Sequence, residues 1–328
     1  MQYRQLGKSG MKVSELSLGT WQVGGKWGSG FDDANADRIL NAAIDQGVNF
    51  IDTADVYEDG RSEKAVGRVV RSRSEELYVA TKCGRQIQPH VNAGYTPDVL
   101  QRYVEDSLRR TGLERLDLIQ LHCPPTEVYY RPEIFERFEK LKQQGKIRNL
   151  GVSVEKVEEA LKAIEYPNVS TVQIIFNAFR QRPAELFFKE AQRREVGIIV
   201  RVPLASGLLT GKFSADTKFD AGDHRHFNRK GEAFDKGETF SGIDYDLGLK
   251  AVAALREALP NRSNLAAVAL QWILQYQEVG CIIPGASREE QLRANLAVYQ
   301  EPPLTTAEAA AINDIYKKYI QQGVHHLW

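Results

Sequence analysis

The chain has 328 residues, 42% hydrophobic and 26% charged, with Lys plus Arg and Asp plus Glu both at 43. A zero formal balance leaves no basic field to recruit nucleic acid or an anionic membrane surface, and no run approaches the roughly 20 apolar residues of a membrane helix. The length is long for one ordinary core but common for a closed α/β barrel.

The N-terminal stretch MQYRQLGKSGMKVSEL has no apolar core of signal-peptide length. Its two alternating runs flank Lys8-Ser9-Gly10, which predicts a small hairpin over 1–15. A rhythm follows. Short apolar runs at 16–20, 48–54, 77–82, 116–122, 147–153, 171–177, 197–203 and 281–285 alternate with longer amphipathic stretches. ANADRILNAAIDQG places Ile39, Leu40, Ala43 and Ile44 on one helix face and ends at a glycine. TPDVLQRYVEDSLRRTG opens with Thr96 and Pro97 and stops at Gly112; YRPEIFERFEKLKQQG repeats the pattern with Pro132 and Gly145.

Eight apolar runs, each followed by a helix, predict parallel strands buried on both faces, and hence an α/β (β/α)8 TIM barrel in a single domain over 1–328. The rival doubly wound sheet needs a Gly-rich fingerprint after its first strand. VGGKWGSG (23–30) has the wrong spacing for it. One polar, Gly-rich segment at 213–246 breaks the rhythm after strand seven, and a connection of that length reads as a lid over the C-terminal face. A last helix and tail occupy 305–328, where Trp328 could cover a pocket. Cys83, Cys123 and Cys281 lack metal-type spacing and read as reduced thiols, so the expected location is cytoplasmic and no metal is expected.

In a parallel barrel the chemistry sits at the C-terminal strand ends. Strand two ends at Asp52, with Tyr57 in the loop beyond it; strand three ends at Lys82, strand four at His122, strand five at Ser153, and strand six carries Gln173 and Asn177. Tyrosine ionises near pH 10, and a buried ammonium beside it lowers that value. Asp52 would keep Lys82 charged, Lys82 would tune Tyr57, Tyr57 would exchange a proton, and His122 would orient a substrate oxygen. Such a set protonates a developing alkoxide. It has no hydride of its own, so a nicotinamide cofactor would have to supply one.

GVNFIDTADVYEDGRSE resembles the signature of the aldo-keto reductase family, Asp-Thr-Ala-x-x-Tyr followed by Gly, Ser and Glu. YVATK and DLIQLH resemble the segments that carry that family's lysine and histidine. RVPLASGLLTGKF resembles its Pro-Leu-x-x-Gly-x-Leu-Thr-Gly-Lys loop, and IIPGASREEQLRANL its cofactor-phosphate segment. The resemblance runs from about Leu6 to Tyr299. It implies a barrel binding NADPH, with NADH as the alternative, and reversible reduction of an aldehyde or ketone by Tyr57, Asp52, Lys82 and His122.

The resemblance also implies the cofactor site. Pro203, Leu204, Ser206, Gly207, Leu209, Gly211 and Lys212 form the loop after strand seven. Gly285 and Ala286, with Ser287, Arg288, Gln291 and Asn295, would hold the adenosine end, where a helix N-terminus favours an anion. Arg288 could pair with a 2′-phosphate. Ser153 and Gln173 match positions that hold the nicotinamide carboxamide. Two positions depart from the family pattern. Val154 stands where many relatives have Asn. Arg201 stands where many have an aromatic ring, and its charge would disfavour the oxidised nicotinamide.

Trp21 and Trp27 are the candidate lining of a substrate pocket, with Tyr129 and Tyr130 as further aromatic candidates. The partner implied is a small carbonyl or alcohol; the oligomeric state stays open. Two other readings exist. A Schiff-base lysine would have to be neutral, which Asp52 opposes. A cofactor-binding sensor subunit with weak activity would share the tetrad.

Overall fold

The structure, a computed structural model, describes residues 1–25 and 30–328. Strands β1 (Tyr3–Gln5) and β2 (Lys12–Ser14) pair antiparallel as the expected hairpin. Gly7 turns it with a φ of +51°, and a Cβ there would lie 2.2 Å from the Gly197 amide nitrogen, so glycine is required where the hairpin abuts the barrel.

Strand β3 (Leu18–Gly19) is followed by α1 (Asp33–Asp45), β4 (Phe50–Asp52) by α2 (Arg61–Ser72), and β5 (Tyr78–Cys83) by α3 (Pro97–Thr111). β6 (Leu116–His122) leads to α4 (Pro132–Gln143), β7 (Ile147–Ser153) to α5 (Val157–Ala163), and β8 (Val169–Ile175) to α6 (Phe187–Arg193). After β9 (Gly197–Arg201) comes the long excursion, which holds only 3-10 turns and one turn of helix, α7 (His224–Phe227). Helices α8 (Tyr245–Ala258) and α9 (Leu265–Leu274) precede β10 (Val279–Ile282), and α10 (Glu289–Leu296) and α11 (Thr306–Ile315) follow it.

The eight strands from β3 to β10 pair in sequence order, all parallel. Parallel bridges Leu16–Ile282 and Gly19–Gly285 bring the two edges together, so the barrel of the sequence reading is nearly closed. The helix punctuation holds too: the Thr96 side chain accepts from the Val99 amide, Pro97 opens α3, and Gly112 ends it in the left-handed region. Strand seven stops at Arg201, two residues before the expected end, because Val202 takes a φ of +51° and leaves the extended region.

Alternate residues point into the barrel. Phe50, Tyr78, Ala80, Leu118, Ile199 and Cys281 form an apolar floor with Leu6, Met11 and Val13 of the hairpin. One step of two toward the C-terminal ends, the same parity puts Asp52, Lys82, Gln120 and Arg201 above that floor. No described helix is long and apolar enough to cross a membrane, and all three cysteines are buried and unpaired.

Candidate active site

The tetrad residues meet at the mouth. Lys82 Nζ donates to Asp52 Oδ1 at 2.5 Å, to the Thr53 carbonyl at 2.8 Å and to the Tyr57 hydroxyl at 3.1 Å. Strand register explains the approach, since β4 pairs with β5 at Asp52–Ala80 and Lys82 lies one inward step further. The Tyr57 and His122 rings sit edge to face, 6.0 Å apart. Ser62, at the start of α2, exchanges hydrogen bonds with Thr53 (2.9 Å) and Thr20 (2.8 Å). Glu63 accepts from Thr81 and Arg110. The Ser and Glu of the sequence signature thus anchor both ends of the tyrosine loop.

Asp52 has two supports that the sequence reading missed or placed elsewhere. Gln120 donates to its Oδ2 at 3.0 Å and Gln173 at 2.8 Å. The buried carboxylate therefore has a cation on one oxygen and two amide donors on the other. Burial works to lower the Lys82 pKa, but Asp52 and Tyr57 outweigh it and hold the ammonium above its ordinary range. Tyr57 corrects an expectation. Burial pushes its phenol up and Asp52 adds to that, and together they exceed the downward pull of Lys82, so its pKa lies above the ordinary value. His122 is driven well below its usual pKa by burial and by the charges of Arg85, Lys82 and Arg201, and is neutral.

The 213–246 segment packs over this mouth. Glu238 accepts from Arg85 Nη2 at 2.8 Å and lies 3.6 Å from Arg201, while Ser206 Oγ donates to the Glu238 carbonyl at 3.0 Å. Arg85 Nη1 stands 3.4 Å from His122 Nε2. The Trp21 ring lies 6.2 Å from Tyr57, 4.9 Å from His224 and 6.2 Å from Phe234. Asn177 ties the end of strand six to the excursion by donating to Ser241 at 2.8 Å.

The sequence profile of the Aldo/keto reductase family matches residues 15–317. The chain belongs to the aldo/keto reductase family. It is 30% identical over 327 residues to the uncharacterized oxidoreductase YqkF of Bacillus subtilis, covering 97% of this chain and 99% of that protein. It is 29% identical to L-glyceraldehyde 3-phosphate reductase of Escherichia coli strain K12, covering 100% and 95%. The glycerol dehydrogenase AKR11B4 from Gluconobacter oxydans superposes with a TM-score of 0.79 at 30% identity, covering 97% and 96%. The chain is accordingly an aldo-keto reductase, an oxidoreductase, and its family uses nicotinamide cofactors.

In this reductase the expected cofactor residues line two neighbouring loops. Ser206, Gly207 and Gly211 all have positive φ, so the loop after β9 turns on a left-handed backbone. Pro203 is buried, and Leu204 half-buried beside it. Ser287 donates from both amide and hydroxyl to Gln291 Oε1, and Asn295 donates to the Gly285 carbonyl. Arg288 caps α10 and is exposed, as is Lys212, and neither makes an ion pair among the described residues. Two uncommitted cations on adjacent loops fit the phosphates of a dinucleotide. Leu209 and Ala286 have their side chains buried in the hydrophobic core, so only their backbone is open to a ligand.

Of the residues expected at a nicotinamide, Ser153 is buried with its hydroxyl 3.5 Å from Cys123. Gln173 has its Nε2 committed to Asp52 and to Gln120 Oε1. Arg201 is not the bare charge the sequence suggested. Its guanidinium bonds Glu155 at 2.9 Å and the Val154 carbonyl at 3.1 Å, with Glu238 alongside. Glu238, kept ionised by Arg85 and Arg201, offsets part of that charge. Trp27 lies outside the described residues. Tyr129 is fully buried and donates to the Ser153 carbonyl at 3.4 Å, while Tyr130 is 64% exposed, so neither lines the mouth.

Proposed function

We propose that this chain reversibly reduces the carbonyl of an aldehyde or ketone to an alcohol, with NADPH as cofactor and Tyr57 as general acid. The observation that carries the reading is the Lys82 ammonium, 3.1 Å from the Tyr57 hydroxyl and backed by Asp52 at 2.5 Å. When bound, the cofactor supplies the hydride. Tyr57 donates its phenolic proton to the substrate oxygen as negative charge develops there. A phenol with a raised pKa is fully protonated at neutral pH, the form that reduction needs. Lys82 stabilises the phenolate left behind, and neutral His122 and the phenol together fix the carbonyl oxygen. The floor of the barrel excludes water from beneath the tetrad.

NADPH is favoured over NADH because Arg288 offers an exposed guanidinium at the adenosine end. Three buried free thiols suit a reducing compartment, which supports a cytoplasmic location. Titration of NADPH and NADH by fluorescence, then turnover of an aldehyde panel by wild type and Tyr57→Phe, tests the reading. Tight NADPH binding is expected in both proteins, with turnover lost in the variant. Tight binding without turnover in either would instead make the chain a cofactor-binding sensor.

A further inference from the structure

We propose that Arg85 reads an anionic group on the substrate, so that the preferred carbonyl compound carries a carboxylate or phosphate a few atoms from its reacting carbon. The inference rests on the reductase reading. It starts from where Arg85 points. Nη2 is held by Glu238 at 2.8 Å, but Nη1 faces His122 Nε2 at 3.4 Å, the nitrogen beside which a substrate oxygen would sit. An arginine with a purely structural task commonly gives both nitrogens to one carboxylate. Here one of them is turned toward the reacting centre, and Phe234, 5.5 Å beneath the guanidinium, keeps it there.

The charge around Arg85 favours an incoming anion. Arg85, Arg201 and Arg180 are grouped about Glu238, Asp235 and Glu155. Burial raises Glu155 to about 8 and the neighbouring charge of Glu238 adds to this, against the pull of Arg201. Burial would raise Glu238 as well, but Arg85 and Arg201 prevail and keep it ionised. Three guanidiniums therefore share this cluster with a Glu155 that burial and Glu238 push toward its neutral form. A surplus buried cation is costly, and a substrate anion removes the cost. Atoms of Cys123, Glu155 and Glu238 also lie within 4.8 Å of one another, a spacing a metal ion could use, but Arg201 and Arg85 already supply the positive charge there. The relatives do not decide the matter, since one is named for a phosphorylated aldehyde and another for neutral glycerol.

Matched substrates test this: butanal against 4-oxobutanoate, and glyceraldehyde against its 3-phosphate, with NADPH, on wild type, Arg85→Gln and Glu238→Gln. Wild type should favour one anionic member about 10- to 100-fold in kcat/KM, the range of one charge-assisted hydrogen bond; the two pairs separate carboxylate from phosphate. Arg85→Gln should bring that ratio near one, mainly through KM. Glu238→Gln, which leaves Arg85 less neutralised, should raise it. Succinate and inorganic phosphate binding by calorimetry gives a readout without turnover, and Arg85→Gln should weaken the preferred anion about 10-fold or more. Equal efficiency for neutral and anionic members in wild type, or an equal loss for both in Arg85→Gln, overturns the inference while the reductase stands. Anion binding that depends on Arg85 without any aldehyde turnover supports the anion site and overturns the reductase reading instead.

Discussion

Gln173 Nε2 donates at 2.8 Å to Asp52 Oδ2, the carboxylate oxygen that Lys82 does not use. The tetrad's acid is thereby fixed from strand six as well as strand three. Losing a hydrogen bond to a buried charge costs about 1.5–3 kcal/mol. Gln173→Leu should lower thermal stability and reduce kcat about 10-fold or more, because Asp52 can then turn from Lys82. Steady-state kinetics and calorimetry check this. A weakened NADPH affinity with kcat intact would show that Gln173 serves the ligand and not Asp52.

With Tyr57 as the proposed general acid, its raised pKa should set the pH behaviour of the two directions. Reduction uses the protonated phenol and should be flat through neutral pH, falling only in the alkaline range. Alcohol oxidation uses the phenolate and should rise with pH across the same interval. Lys82 is the group pulling the pKa down, so Lys82→Met paired with Asp52→Asn, which avoids stranding a buried carboxylate, should move the oxidation limb further alkaline. Rate profiles of both directions would show it, and an unmoved limb would count against Tyr57 as the titrating group.

Much of this site was legible because period two is a strong signal. Asp52, Lys82 and His122 each end an apolar run on the inward parity, and the barrel follows from eight such runs. What sequence does not reveal is pairing between distant loops. Arg85 and Glu238 are 153 residues apart, and neither belongs to a periodic element. Gln120, in the middle of an apolar strand, looks like a tolerated polar residue until the barrel closes and brings Asp52 to it. Arg201 was visible as an oddity, but Glu238, which moderates its charge from the excursion, was not.

Asp55 is fully buried, and neither of its carboxylate oxygens has a hydrogen-bond partner among the described residues. Burial, aided by the charge of Glu63, raises its pKa to about 7. A folded pKa above the unfolded one means that the native state binds this proton more tightly. Its stabilisation is complete below about pH 4 and is lost progressively as pH rises through 7, by at most about 4 kcal/mol. Asp55→Asn has no such proton to lose. Melting temperatures of the two proteins should diverge by several degrees in favour of the variant between pH 5 and 8; parallel curves would rule out a protonated Asp55.

Arg288 should govern the choice between the two dinucleotides. A guanidinium bonded to a 2′-phosphate contributes through charge-assisted hydrogen bonds, which correspond to about 10- to 100-fold in affinity. Arg288→Gln should weaken NADPH by that factor and leave NADH nearly unchanged. Fluorescence titration of both cofactors measures the ratio, and an equal effect on both would assign Arg288 to the shared pyrophosphate or to neither.

Trp328 closes the excursion from outside. It is 4% exposed, donates from Nε1 to Asp235 at 2.9 Å, and has the Arg180 guanidinium 4.2 Å from its ring. Gly237 and Gly242 pack so tightly against the indole that a Cβ on Gly242 would lie 2.3 Å from it, so two glycines of the excursion exist in a form that admits this ring. Removing a buried aromatic of this size costs about 3–5 kcal/mol when the structure cannot collapse around the space. Here the loss falls on one side of a surface segment, so local opening should precede global unfolding. Trp328→Ala should therefore speed proteolysis within 213–246 with little change in the global melt, and raise KM because Glu238 loses its fixed approach to Arg85. Trp328→Phe restores the packing without the hydrogen bond and should recover most of the protection. Limited proteolysis with mapping of the cut sites, run beside substrate kinetics, separates this role from a general loss of stability, which would move the global melt as far as the cleavage rate.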